Sequence, residues 1–196
     1  MLIKFLKENM HRIMRVLVNQ VGIMIFAIIM TFTAGVMDEK QRPAMMLVAS
    51  LFSIAFYLFL VFYSMREEGG KDSVKIEGGR LEYRPSYGFK VGLCAIVPNF
   101  IPVLLMVLGL ILGLEVNAEG ALIDTAGRGV WTVGISISNM IQSMYNGTIN
   151  MIIAGLTPEA CVVVLTAIYA ITPFFAAVAS GVGYMYGCKK PIRQKA

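Results

Sequence analysis

Residues Gly134 to Asn150 read GISISNMIQSMYNGTIN. They lie in a run with no charged side chain from Gly129 to Pro158, yet an amide or hydroxyl recurs at every third or fourth position. Thr132, Ser136, Asn139, Ser143 and Asn146 follow a 4-3-4-3 spacing, and Asn150 continues it. Residues three and four apart are neighbours on a helix, so these form one polar face, while Val133, Ile137, Met140, Ile141 and Met144 cover much of the other. Whether this segment crosses a bilayer decides how many times the chain does.

Composition supplies the bilayer. Hydrophobic residues make up 57% of the 196 positions and the mean hydropathy is +0.72, above the roughly 45–50% apolar content of soluble domains. The apolar residues come in long uncharged blocks: Val16–Met37, Pro43–Met65, Val91–Leu114 and Ala160–Cys188. Each meets the length of about 20 residues needed to span a hydrocarbon core roughly 30 Å thick. The basic N-terminal stretch runs into Val16–Met37 with no small-residue cleavage site, so that block is expected to stay as a span. The net charge of +5 could point to nucleic acid. The cations instead cluster beside apolar blocks, which is the pattern of membrane topology and excludes a nucleic-acid partner. Cys94, Cys161 and Cys188 have no CxxC spacing and read as small packing residues.

Charge then orients the spans. Lys4, Lys7, Arg12 and Arg15 precede the first block, while Arg66, Lys71, Lys75, Arg80, Arg84 and Lys90 separate the second and third. Lys189, Lys190, Arg193 and Lys195 follow the last. The positive-inside rule puts all three groups in the cytoplasm, and Asp38–Arg42 and Glu115–Arg128 outside. A single crossing by Gly129–Pro158 would move the tail outside. A double crossing would leave only Ile149–Pro158 for its second leg, which is too short. Zero net crossings remain, as a broken re-entrant segment over about residues 130–157 with a turn at Asn146-Gly147, or as a helix at the outer surface. In either case a stripe that lipid would reject faces other helices or water.

Two roles fit it. Asn139, Ser143, Asn146, Ser136 and Asn150 serve as interhelical contacts, or they line a path for water, an ion or a solute, because interrupted helices commonly build membrane binding sites. Asn99 joins the second role, standing between Pro98 and Pro102, whose missing amide hydrogens free carbonyls in the third span. Pro98, Pro102 and Pro173 are candidate helix hinges. In the last span Ala177 with Gly181, and Ala179 with Gly183, are small-residue pairs four apart that let helix backbones approach closely.

No Asp, Glu, Lys or Arg lies inside the four blocks, and the only histidine, His11, is N-terminal. No zinc or phosphate-loop motif is present either. Enzymatic chemistry, a metal and a cofactor are therefore not expected. Two polar pieces flank the spans. Residues 1–15 alternate as an amphipathic helix, with Phe5, Leu6 and Met10 against Lys7, Glu8 and His11, and suit the membrane interface. Residues 66–90 read as a cytoplasmic loop in which Val74–Tyr83 alternates apolar and charged about Gly78-Gly79. A β-hairpin is expected there, pairing Glu77 with Arg80 and Lys75 with Glu82.

In size and hydropathy the chain is similar to substrate-capture subunits of energy-coupling-factor vitamin transporters. It has four blocks rather than that family's six spans, and the first lacks the family's Ala-x-x-x-Ala signature, so no residue carries over. The expected architecture is an all-α polytopic protein of the cell membrane with both termini cytoplasmic. Two helices over 16–65 are followed by the loop with its hairpin, and 91–196 holds the third span, the re-entrant segment, the fourth span and the basic tail. Two functions follow: a transport or channel subunit with an uncharged polar pathway for a small solute or ion, or a non-transporting scaffold or regulatory subunit of a larger membrane complex. Besides the bilayer, a second copy or a membrane protein is the expected partner.

Overall fold

The computed structural model describes residues 2–113 and 126–189. Residues 114–125 and the tail beyond Lys189, which the charge argument used, lie outside them. The described chain runs α1 (Leu2–Gly35), α2 (Arg42–Glu77), α3 (Tyr87–Ile111), α4 (Ala126–Ile141), a 3-10 turn (Ser143–Tyr145), α5 (Asn146–Ile153), α6 (Pro158–Ile171) and α7 (Pro173–Lys189). Four helices are long and apolar enough to cross a membrane: α1, α2, α3, and α6 with α7 taken together over Pro158–Lys189.

Exposure supports the same assignment. Val97, Ile101, Leu104, Leu108 and Ile111 of α3 are all exposed, while Asn99 is only 3% exposed. An apolar outside around polar contacts is what a hydrocarbon solvent selects. The chain is an integral, multi-pass membrane protein.

The hairpin over Val74–Tyr83 is not formed, and no strand occurs among the described residues. Instead α2 continues to Glu77, helped by pairs one turn apart: Lys71 Nζ lies 2.9 Å from both Glu67 and Glu68, and Lys75 Nζ lies 3.2 Å from Asp72. The two glycines end the helix rather than turn a hairpin. Gly79 has φ 68°, the Arg80 amide donates to the Lys75 carbonyl at 2.9 Å, and the Gly79 amide donates to that of Ile76 at 3.0 Å. This is the paired capping of a Schellman motif, which needs a residue without a β-carbon at the left-handed position. Alternating charge around Gly-Gly fits both structures; the helix already running from Arg42 decides between them.

Continuity also carries α1 through Arg15 without a break. At 1.5 Å per residue, the 34 residues of α1 and the 36 of α2 extend about 50 Å, some 20 Å more than a hydrocarbon core. Their surplus turns are the charged ones, residues 2–15 and 66–77.

The chain divides into two compact units. The first, of residues 1–21, 55–97 and 173–196, contains all the charged helix ends just described. Its core includes Val16, Val61, Met65, Val91, Ala177 and Tyr184. Here α7 presents small residues to its neighbours: a β-carbon on Gly183 would collide with the Phe62 carbonyl, and one on Gly187 with that of Arg66. On the same helix Ala177 lies against Gly92, Gly181 lies against the Phe89 ring, and Ala179 is half-buried.

The second unit, residues 22–54 and 98–172, has a core including Met106, Trp131, Met144, Ile149, Leu165 and Tyr169. It holds the broken segment. The break falls at Gln142–Tyr145, and Asn146-Gly147 opens α5 instead of turning the chain. Gly147 serves another need: it abuts the Met46 carbonyl of α2 so closely that no β-carbon fits. The α3 helix is unbroken through Pro98 and Pro102, and Pro173 begins α7 directly after Thr172.

Candidate functional site

In the second unit the polar stripe meets protein. The Tyr169 hydroxyl donates to Asn139 Oδ1, and Asn146 Oδ1 lies 3.4 Å from the same hydroxyl. Asn146 Nδ2 donates back to the Asn139 carbonyl at 3.3 Å. Ser143 donates to the Met24 carbonyl of α1 at 3.1 Å. Ser50 of α2 donates to the Met144 carbonyl at 2.6 Å, satisfying backbone in the 3-10 turn that separates α4 from α5. Ser136 bonds one turn back to the Thr132 carbonyl at 2.7 Å and is exposed, as is Asn150. Asn99 is buried and engaged, so it is no bare coordinating group. The structure thus brings Asn139 and Asn146 together at Tyr169, sends Ser143 to α1, and leaves Ser136 and Asn150 apart.

Gln142 was not among the residues singled out by the spacing, yet it is 1% exposed, donates to the Tyr169 carbonyl at 3.2 Å and accepts from Thr172 Oγ1. Its place next to Ser143, off the regular stripe, hides it from a periodicity argument. A small void of about 10 Å³ lies beside the break, its wall including Thr31, Ser50, Ser53 and Ser143. That is about the space of one water molecule.

The larger opening lies wholly in the first unit, at its charged end. A cavity of about 800 Å³ is bounded by α1, the end of α2, residues 81–86, the start of α3 and Tyr184 of α7. Its floor is a set of interlocked ionic side chains. Arg12 makes a two-pronged bond to Asp72, Nη1 to Oδ2 at 2.7 Å and Nη2 to Oδ1 at 2.9 Å, while its Nε lies 3.0 Å from Glu68. The Arg12 and Asp72 side chains are 15% and 3% exposed, so this is a largely desolvated pair with the planar geometry that guanidinium and carboxylate share.

Further partners complete the carboxylates. Asp72 also takes a proton donor from Lys75 and another from the Tyr184 hydroxyl at 3.2 Å, and Glu68 takes Arg15 at 3.2 Å and Lys71 at 2.9 Å. Tyr87 accepts from Arg12 at 2.8 Å and donates to Asn9 Oδ1, and its ring sits 5.0 Å from that of Tyr184. With four donors on Asp72 and three on Glu68, both carboxylates are compensated at low exposure. Above this floor the walls change character along α3: Tyr87, then Lys90, then Leu93 and Cys94 face the cavity over two turns. Among the described residues Lys90 makes no ion pair.

Sequence reasoning missed this site because it assigned residues 66–90 to a loop. The signal was present: Glu67, Glu68 and Asp72 stand three or four residues before Lys71 and Lys75, a helical pairing pattern. The long-range partner Arg12, sixty residues away from Asp72, has no local signature.

Fold and sites together define a multi-pass membrane protein with four helices long and apolar enough to span, no strand among the described residues, and a charged cavity in its first unit. Comparison with protein families, with curated proteins and with solved structures gives no match for the chain.

Proposed function

We propose that this protein is a small-molecule-binding subunit of a membrane transport system and that its binding site is the charged cavity. The observation carrying this reading is the cavity itself. Its 800 Å³ falls within the roughly 300–1,000 Å³ typical of ligand sites, and it joins apolar walls to a few converging polar groups. The interlocked floor of Arg12, Asp72 and Tyr87 is preorganised, so little ordering opposes binding.

The positive-inside pattern supports a cytoplasmic placement of this end in the cell membrane, with the cavity open to the cytoplasm and α4–α5 re-entering from outside. A pathway along Asn139, Ser143, Asn146 and Asn99 has less support, because their polar atoms already serve Tyr169, Met24 and other protein groups. That closure favours the second reading, a non-transporting subunit that scaffolds or regulates a membrane complex, with a second copy or a membrane protein as partner.

Blocking the cavity separates the two. Full-length protein purified in mild detergent is analysed by mass spectrometry for molecules released on denaturation, as wild type, Cys94→Trp and Leu104→Trp, the last an exposed apolar position elsewhere. The ligand-binding reading expects a molecule retained by wild type and Leu104→Trp and lost from Cys94→Trp, at unchanged helicity. Equal retention in all three, or none in any, would leave the scaffold reading in its place.

A further inference from the structure

The walls of the cavity specify a class of ligand, on the reading that the cavity is a ligand site. Its ionic groups are not equally available. Asp72 is consumed by Arg12, Lys75 and Tyr184, Glu8 is engaged by a partner of its own, and Glu82 is paired with Arg84 at 3.1 Å on an exposed rim. Arg12 is likewise spent on Asp72, Glu68 and Tyr87. What remains at the wall without an ion pair among the described residues is the exposed ammonium of Lys90, with Arg84 held only by an exposed pair that a stronger anion can displace, since such pairs contribute about 0–1 kcal/mol.

Position adds the second half of the specification. Lys90 stands at the start of α3, immediately before the apolar block that begins at Val91. One turn further along the same face are Leu93, 37% exposed, and Cys94, both lining the cavity. A cation at the boundary with uncharged wall beyond it matches a molecule whose anionic head sits at Lys90 and whose hydrocarbon runs along Leu93 and Cys94. Phe5 and Tyr87 add apolar surface beside the head, their rings 5.9 Å apart.

We infer that the cavity binds a phosphate-bearing anionic amphiphile, specifically an acidic glycerophospholipid of the leaflet at this end. The shared chemistry is a phosphate at Lys90. A membrane lipid and a soluble phosphate ester both offer it, and the apolar wall selects the lipid. A net-neutral headgroup brings a cation that meets no free carboxylate at Lys90.

The test uses the full chain in nanodiscs of phosphatidylcholine and native mass spectrometry. Three probes are added: dioctanoyl phosphatidylglycerol, dioctanoyl phosphatidylcholine and glycerol 3-phosphate. Wild type is expected to hold one phosphatidylglycerol in preference to the other two, and Lys90→Gln, an exposed change that leaves the fold intact, is expected to weaken it about fivefold, the effect of one interfacial cation on an anionic lipid. Equal retention of the two lipids, or a preference that Lys90→Gln leaves untouched, overturns the inference. So does glycerol 3-phosphate binding as tightly as the lipid, which would make the ligand a soluble phosphate. In those three outcomes the loss of a co-purified molecule from Cys94→Trp still stands, so the cavity remains a ligand site of another class. Phosphatidylglycerol held equally by wild type and Cys94→Trp overturns the inference and the cavity site together.

Discussion

At the scale of single residues, Asp72 has the most demanding environment in the first unit. It is 2% exposed and lies between Arg12, Lys75 and Tyr184. Truncating one member of a buried pair leaves the other charge desolvated and uncompensated, which costs about 3–5 kcal/mol. Asp72→Ala is therefore expected to lower stability by about that amount, read from denaturant unfolding in detergent. Replacing both charges with apolar groups removes the orphan, so Arg12→Met with Asp72→Leu should lose much less than the single change. If Asp72→Ala costs under about 1 kcal/mol, in the range of exposed pairs, the site is solvated and the account of the cavity floor is wrong.

At the scale of elements, the broken segment between α4 and α5 is held by close backbone approach more than by its amides alone. Gly147 touches the Met46 carbonyl, and Ser50 donates to the Met144 carbonyl just before it. Any side chain at 147 must push α5 off α2, and overpacking of this kind costs about 1–3 kcal/mol. Gly147→Ala should lower the melting temperature and speed hydrogen exchange over Ser143–Ile153. Gly155→Ala, where a β-carbon meets nothing within 4 Å, should do neither. Indistinguishable behaviour of the two variants would show that this junction is not tightly packed. A different need fixes the glycine that caps α2: Gly79 is favoured by its positive φ, not by contact.

At the scale of the whole molecule, the charge pattern predicts sidedness. In the proposed orientation two spans return the chain inside at α2, a third takes it out at α3 and α4–α5 makes no net crossing, so Glu39 and Glu159 are expected outside and Lys75 and Ser86 inside. Single cysteines at these four positions, with Cys94, Cys161 and Cys188 replaced, are expected to divide accordingly on intact cells. Positions 39 and 159 react with a membrane-impermeant maleimide, and positions 75 and 86 react only after permeabilisation. Labelling of position 159 only after permeabilisation would mean that the broken segment crosses the membrane.

The four apolar spans, the uncharged broken segment and the small-residue face of α7 were legible from residue order, because bilayer thickness and helical periodicity act on neighbours along the chain. Local pattern could not choose between hairpin and capped helix at Gly78-Gly79: the motif serves both, and the choice fell to the helix already propagating from Arg42. Nor could it show that Asn139 and Asn146 converge on Tyr169, or that Arg12 meets Asp72. Those partners are set by which helices lie side by side. A hydrogen bond or ion pair between distant residues forms only once packing has brought them within about 3 Å, and nothing in the spacing of either partner encodes the other.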